Sequence, residues 1–361
     1  MYKILVINPG STSTRLALYE EGIELFREKI NHPKEELNVY KSVMEQCPLR
    51  KDAVINMLDK WKVPINELAA VAGRGGTLRP IKSGTYIVNQ RMIEDCIRGV
   101  GGHHASNLGA VIASEIAAKA GIPAFVVDPP VVDELGELAR ITGLPEIKRK
   151  SRFHALNQKE CAKAAANELG KSYQEARIIV VHLGSGISIG AHICGQVVDV
   201  NDCYDSEGPI MPERAGTLPA GDLVKMCYSG KFTLEEMQKK LTGKGGVYAY
   251  LGTSDMISVK GKVNLGDKAA KLLYDAMAYQ VSKFVGALST VLEGNVDCIA
   301  MTGGLAGDDD FIKMVSCRVD WIAPVKVYPG EMEMEALAKG VLEVLQGAVE
   351  AKIYCDDSII D

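Results

Sequence analysis

Three short glycine loops carry the residues best suited to hold a phosphate. In RIIVVHLGSGISIGAHICGQVVDV (Arg177 to Val200) an apolar run meets His182-Leu183-Gly184-Ser185-Gly186. A second apolar run, a Gly-Gln turn and a third strand-like segment follow. Glycines in such a loop let successive N–H groups turn toward one point, which makes a nest for an anion. A plain β-hairpin turn has the same signature, so one loop does not decide. The chain opens, however, with the same grammar, KILVINPGSTSTRLALYEEGIEL (Lys3 to Leu25), whose loop holds Asn8, Gly10, Ser11 and Ser13, with Arg15 just beyond. The two copies lie about half a chain apart, as expected of two related lobes. That doubling favours phosphate, and two such loops suggest a nucleotide held in a cleft between the lobes. A third loop, Thr302-Gly303-Gly304, ends another apolar run and offers close approach to a flat ring or sugar.

Single polar residues at the ends of apolar runs are the other candidates. Leu68 to Ala72 leads into Gly73-Arg74-Gly75-Gly76, a place to expose one guanidinium in a cleft, with Arg79 nearby. His103 precedes a helix marked by Leu108, Ile112 and Ile116, where it could act or simply cap a turn. Asp128 follows the strand Pro123 to Val127 and precedes two prolines. Extended geometry there would suit a metal-side carboxylate or a turn cap. His154 stands between Phe153 and a helix start, just after the basic run IKRKSR (Ile147 to Arg152).

The elements that must position these residues alternate between strand and helix patterns. Pro33 to Cys47 and Asp52 to Trp61 read as two helices, Lys268 to Glu293 as a long one, and Glu331 to Gly347 as the last. Residues 202–221 are too rich in Pro and Gly for regular structure. The composition shift places a domain boundary near residue 150. The 361 residues suit about two domains. A net charge of −5 argues against nucleic-acid binding, and no apolar span suits a membrane. Nine scattered cysteines and an N-terminus that runs straight into a strand point to a reduced, cytoplasmic protein.

Taken together, the motifs resemble the acetate and butyrate kinase family, over nearly the whole chain. Asn8-Pro-Gly-Ser-Thr-Ser-Thr-Arg15 is similar to the family's first signature, and Arg152-Phe-His154 falls at its second. His182-Leu-Gly-Ser-Gly186 and Thr302-Gly-Gly304 match its phosphate and adenosine loops. Within the family the butyrate kinases are matched best. The resemblance implies an α/β fold of two ribonuclease-H-like, actin-like ATPase domains around a nucleotide cleft. The first would span 1–150 plus a C-terminal helix from about 331 to 361 and bind the acid. The second, 151–330, would bind nucleotide, and each sheet would have five strands.

The implied reaction is reversible transfer of the ATP γ-phosphoryl to a short-chain fatty acid, giving an acyl phosphate and ADP, with Mg²⁺. Arg74, His103, His154 and Arg214 take the catalytic roles, Arg74 holding the carboxylate. Asn8, Gly10, Ser11, Ser13, Arg15, His182, Gly184, Ser185, Gly186, Gly303 and Gly304 bind nucleotide. Phe153 and Pro209 line the acid pocket. Gly76 stands where acetate kinases carry valine, which would widen that pocket. Asp128 and Glu331 are the metal-side carboxylates, Glu333 competing with Glu331. Arg214 replaces the arginine of the family's Gly-Thr-Arg motif, because Gly216-Thr217 is followed here by Leu218. The acid expected is butyrate, with isobutyrate, propionate and acetate as alternatives, and a homodimer or higher homo-oligomer is expected. A sugar kinase or non-kinase ATPase would open the first loop with Asp, not Asn8.

Overall fold

A computed structural model of the chain describes residues 1–360. The strands in chain order are β1 (Lys3–Pro9), β2 (Ser13–Glu20), β3 (Ile23–Asn31), β4 (Ala70–Gly73), β5 (Thr85–Ile87) and β6 (Ala124–Val127). They continue as β7 (Arg177–Leu183), β8 (Ile187–Ile193), β9 (Gln196–Val200), β10 (Cys298–Gly303), β11 (Val325–Pro329) and β12 (Lys352–Ile353). The chain forms two compact units. One joins Met1–Asp133 to the segment from Met332 onward, and the other is Glu134–Glu331.

The internal repeat is visible in the topology. The first sheet contains the order β3-β2-β1-β4-β6 and the second runs β9-β8-β7-β10-β11. In each, the first three strands pair antiparallel and the last two add in parallel. This is the ribonuclease-H arrangement, present twice. The likeness extends to detail. Each second hairpin turns through two residues of positive φ, Glu21-Gly22 and Cys194-Gly195, and each carries a register shift between its second and third strands. Two positive φ values match the right-handed twist of the flanking strands.

Three expectations need correction. The first sheet has seven strands, not five, because β5 and β12 extend its β6 edge. The stretch read as a helix from Pro33 to Cys47 holds only a four-residue helix and a 3₁₀ turn. The continuous helix is Cys47–Trp61, with Pro48 in its first turn, where a missing N–H costs nothing. The division between units falls at Asp133, not near residue 150. Glu134 accepts from Lys159 Nζ (2.8 Å) and from the Val197 amide (2.9 Å), and the Gly136 amide donates to Val198 (2.9 Å), so residues 134–150 belong to the second unit.

Each unit has its own apolar core. In the first, Leu5, Ile7, Leu16 and Leu18 pack with Val54, Leu58 and the helix Asn107–Ala120. In the second, Ile179, Val181 and Ile189 pack on the helix Lys268–Val291, whose buried stripe includes Leu273, Met277 and Val281.

Candidate active site

In the first unit the loop between β1 and β2 is closed by a 2.7 Å bond from the Gly10 amide to the Ser13 carbonyl. Behind it lies Arg50, fully buried. Its guanidinium donates to the carbonyls of Gly10 (2.9 Å), Ser11 (3.1 Å) and Ser13 (3.1 Å), to Thr14 Oγ1 (3.2 Å) and to Gln46 Oε1 (3.0 Å). No carboxylate answers this charge among the described residues, and burial pulls its pKa down. A peptide carbonyl and the next residue's N–H point in opposite directions. Carbonyls drawn toward Arg50 therefore turn the Ser11 and Thr12 amides away from it, which is the nest geometry.

Asn8, at the end of β1, donates from Nδ2 to Glu333 Oε2 (2.8 Å), and the same oxygen takes the Arg74 guanidinium. Glu333 is buried at the start of the helix Glu333–Leu345. Of the two glutamates in competition, Glu333 is the one that bonds Asn8. Asp128 is not extended as its prolines suggest: its φ is +38°. Its Oδ1 accepts from Ser83 Oγ (2.6 Å) and the Gly84 amide (2.8 Å), bracing that turn. No group of three His, Cys, Asp or Glu side chains able to cage a metal occurs among the described residues. One carboxylate and one amide oxygen, Glu333 and Asn8, still fit Mg²⁺, which keeps water and phosphate oxygens in its shell.

In the second unit His154 is the N-cap of the helix Ala155–Glu168, and its ring stacks on His182 with centroids 3.6 Å apart and planes within 9°. Two imidazolium charges at that spacing would repel by about 5 kcal/mol at the effective dielectric typical of proteins. The pair therefore carries at most one positive charge. His154 Nδ1 lies 2.8 Å from Ser188 Oγ and 3.9 Å from Cys203 Sγ, a thiol whose pKa burial pushes up to about 12. Arg214 donates to the Cys203 carbonyl (3.0 Å). A Cβ on Gly186 would lie 3.4 Å from His154 Cε1 and 3.0 Å from Arg214 Cζ, and one on Gly184 would lie 2.9 Å from His182 Nε2. Two imidazoles and a guanidinium thus converge on the Gly184–Gly186 loop.

Beside this loop the second unit holds a cavity of about 800 Å³, lined by Gly184, Ser185, Gly304, Leu305, Lys260 and Asp308 among others. Gly304 has open space around it, whereas a Cβ on Gly303 (φ +96°) would come within 2.7 Å of the Leu183 carbonyl carbon. Only the second of the two glycines faces the cavity.

A family description, the acetokinase family, matches residues 145–339. Over 353 residues the chain is 50% identical to a probable butyrate kinase of Clostridium botulinum (strain Alaska E43 / Type E3), covering 98% of this chain and 99% of that one. It is likewise 50% identical over 354 residues to butyrate kinase 1 of Clostridium acetobutylicum, covering 98% and 100%. The chain belongs to the acetokinase family. Among solved structures, the acetate kinase of Porphyromonas gingivalis superposes with a TM-score of 0.78 at 21% identity, covering 96% of this chain and all of the other, and it shares the fold.

Not every residue expected of an acetokinase site lies where the sequence suggests. Gly76 opens no pocket: a Cβ there would come within 2.6 Å of Asn107 Cα, so the glycine serves close packing on the helix Asn107–Ala120. Arg79 reaches Asp95 at 3.3 Å. His103 is exposed, Arg15 sits in β2 opposite Asn8, Phe153 is fully buried and Pro209 is buried. Nor is the basic run simply solvated. Arg149 bonds Asp199 and Glu207 at 2.8 Å, and Arg152 bonds Asp202 at 2.9 Å, so the run anchors β9 and the loop after it.

Arg50, Ser188 and Asn157 escaped the sequence reading. Arg50 carried a signal, since Cys47, Arg50, Val54 and Leu58 form one stripe at helical spacing and that stripe is the buried one. Ser188 carried a weaker one, as a lone hydroxyl within an apolar strand.

Proposed function

We propose that the protein transfers the γ-phosphoryl group of ATP reversibly to butyrate, giving butyryl phosphate and ADP. The observation that carries this reading is the donor set about the Gly184–Gly186 loop, two imidazoles and a guanidinium. A short-chain acid has a pKa of roughly 4–5 and is already ionised at neutral pH, so no base is required. The obstacle is charge: an anion must approach a phosphate, and negative charge spreads over the group in flight. Fixed N–H donors answer that need. Kinship with two butyrate kinases, each half identical over nearly full length, supports butyrate as the acid.

In this reading Arg74 holds the incoming carboxylate. His154, with Arg214 and His103, donates to the transferring phosphoryl oxygens, and Phe153 and Pro209 wall the acyl chain. The amides of Gly184, Ser185 and Gly186, with Gly304, hold the nucleotide, while Asn8, Gly10, Ser11, Ser13 and Arg15 lie near the phosphates. Glu333 and Asn8, with Asp128, would hold Mg²⁺, which would supply neutralisation of phosphate charge. The same reading makes the protein a cytoplasmic homo-oligomer. No described helix is long and apolar enough to cross a membrane, and exposed apolar side chains such as Val224, Tyr228, Leu265 and Leu272 support self-association.

Initial rates of acid-dependent ADP release over a C2–C6 series test the proposal. Two extra methylenes, at roughly 0.8 kcal/mol each, should favour butyrate over acetate by about tenfold in kcat/KM. Equal turnover of acetate and butyrate would overturn the choice of acid. Absence of any acid dependence would overturn the kinase itself.

A further inference from the structure

We infer that Ser188 and Asn157 are positioning residues that hold both rings of the stacked pair, His154 and His182, in the tautomer with its proton on Nε2. One group in this network has a fixed role. The Ser188 backbone carbonyl can only accept, and the Gln158 side-chain nitrogen lies 3.0 Å from it, so that end of the amide is the NH₂. The second amide proton goes to Ser188 Oγ at 2.7 Å. Ser188 Oγ also faces the His154 backbone amide, at 3.5 Å. With both of its lone pairs turned to donors, the hydroxyl has one proton to give, and His154 Nδ1 at 2.8 Å is the acceptor. Nδ1 is therefore bare and the ring proton sits on Nε2, across the Cε1 that abuts Gly186.

The far end of the network agrees. Gln158 Oε1 can only accept, so His192 Nε2, 3.0 Å away, carries a proton, and His192 Nδ1 accepts the Tyr173 hydroxyl at 2.8 Å. Donation thus runs in one direction, from Tyr173 through His192, Gln158 and Ser188 to His154. Ser188, Gln158 and His192 are fully buried, so water does not offer an alternative partner within the chain.

A second network sets His182. The Thr302 hydroxyl donates to the Gly330 carbonyl (3.0 Å), so its oxygen accepts from Asn157 Nδ2 (3.3 Å). The other amide proton of Asn157 meets His182 Nδ1 at 2.8 Å, which leaves the His182 proton on Nε2, the nitrogen beside Gly184. Two neutral rings then offer two N–H donors to the glycine loop without the repulsion of a doubly charged stack. The consequence for rate rests on the phosphoryl-transfer reading above, whereas the tautomers do not depend on it.

Long-range ¹H–¹⁵N correlation spectra of the full chain labelled with ¹⁵N-histidine test the assignment, with His154→Gln and His182→Gln identifying the signals. Both rings should show an imine-type Nδ1 and a pyrrole-type Nε2. A pyrrole-type Nδ1 on either ring in the wild type overturns the inference for that ring. Ser188→Ala should convert His154 alone to a mixture and lower kcat about tenfold or more, with KM for ATP and butyrate within about twofold. Ser188→Thr, which keeps the hydroxyl, should restore both the spectrum and most of kcat. An unchanged His154 spectrum in Ser188→Ala, or a Ser188→Thr variant as slow as Ser188→Ala, would overturn the role of the hydroxyl. If the wild type showed no acid-dependent ADP release, the kinase reading would fall while the wild-type spectrum still decided the tautomers.

Discussion

In the first unit the loop after β1 is backed by a single guanidinium with no counter-ion among the described residues. In the second, the loop after β7 is backed by two stacked imidazoles with a guanidinium at their edge. Both loops connect the first two strands of the same five-stranded motif, and both are closed by one backbone bond, Gly10 to Ser13 at 2.7 Å and Gly184 to Gly186 at 3.1 Å. The backbone design is repeated and the chemistry behind it is not. A fixed cation under the first loop draws carbonyls back and leaves amides outward, so the loop is built for charge. Neutral rings beside the second supply directed N–H donors, so that loop is built for geometry. Fusing two copies of one motif allows such specialisation, because each unit keeps its own core.

The largest effect is expected at Arg50. Replacing it with methionine would remove the donor that the Gly10, Ser11 and Ser13 carbonyls share, although Ser13 keeps the Gly10 amide and Thr14 Oγ1 keeps His32 Nε2 at 2.9 Å. A loss of about 1–3 kcal/mol is expected, as for carbonyls that lose a hydrogen-bond donor. Arg50→Lys keeps the charge but not the planar fork, and it should fold while binding phosphate more weakly. Thermal unfolding and phosphate titration of the two variants would decide. A methionine variant as stable as wild type would show that the cation does not organise the loop.

At the second loop the expected loss is in rate rather than in fold. His154→Ala should lower kcat by about 10²-fold, with a smaller change in KM for ATP, because a donor that acts on the group in flight matters most in the transition state. Near-normal turnover would reduce His154 to the helix cap it also is.

The repeat, the glycine loops and the parallel strands were legible because they follow from local rules: apolar periodicity, turn glycines, and spacing of half a chain. What stayed hidden depends on which way a side chain faces. Arg50 looks like any helix arginine until its place on the buried stripe is noticed, and the orientation of the Gln158 amide has no sequence signal at all. Glu331 and Glu333 differ by two positions, and only the helix start at Glu333 decides which one turns toward Asn8. Gly76 failed for another reason. A missing side chain can mean empty space or an occupied neighbour, and the sequence does not say which.

That ambiguity gives the third test. Gly76→Val was the natural substitution for narrowing an acid pocket, but the new side chain would meet Asn107, whose Oδ1 also accepts from the Thr77 amide at 2.9 Å. The expected result is a loss of about 1–3 kcal/mol from overpacking, with the ratio of butyrate to acetate kcat/KM unchanged in whatever enzyme folds. A stable variant that shifted toward acetate would restore Gly76 to the pocket wall.

The smallest effect concerns pH and separates the two units by their buried histidines. Burial, then the nearby Lys159, holds His192 well below the usual histidine range, so it stays neutral in the folded chain. Unfolded histidine titrates at about 6.5. Below that pH the unfolded chain binds a proton that the folded chain refuses, and stability falls as pH falls. Above it the full contribution is present. The slope should be about 1.4 kcal/mol per pH unit until the folded group itself titrates. His32 in the first unit adds a loss of the same sign, since burial and then the charge of Arg50 lower it as well. Urea unfolding between roughly pH 7 and pH 5 should therefore show a shallower acid limb in His192→Asn than in wild type, by close to one proton. Arg50→Lys should leave the His192 share untouched, because the two groups belong to different units. Identical limbs in wild type and His192→Asn would mean that His192 is protonated in the folded chain. In that case His192 Nδ1 could not accept from Tyr173, and the donor chain behind the second loop would begin at His192 instead.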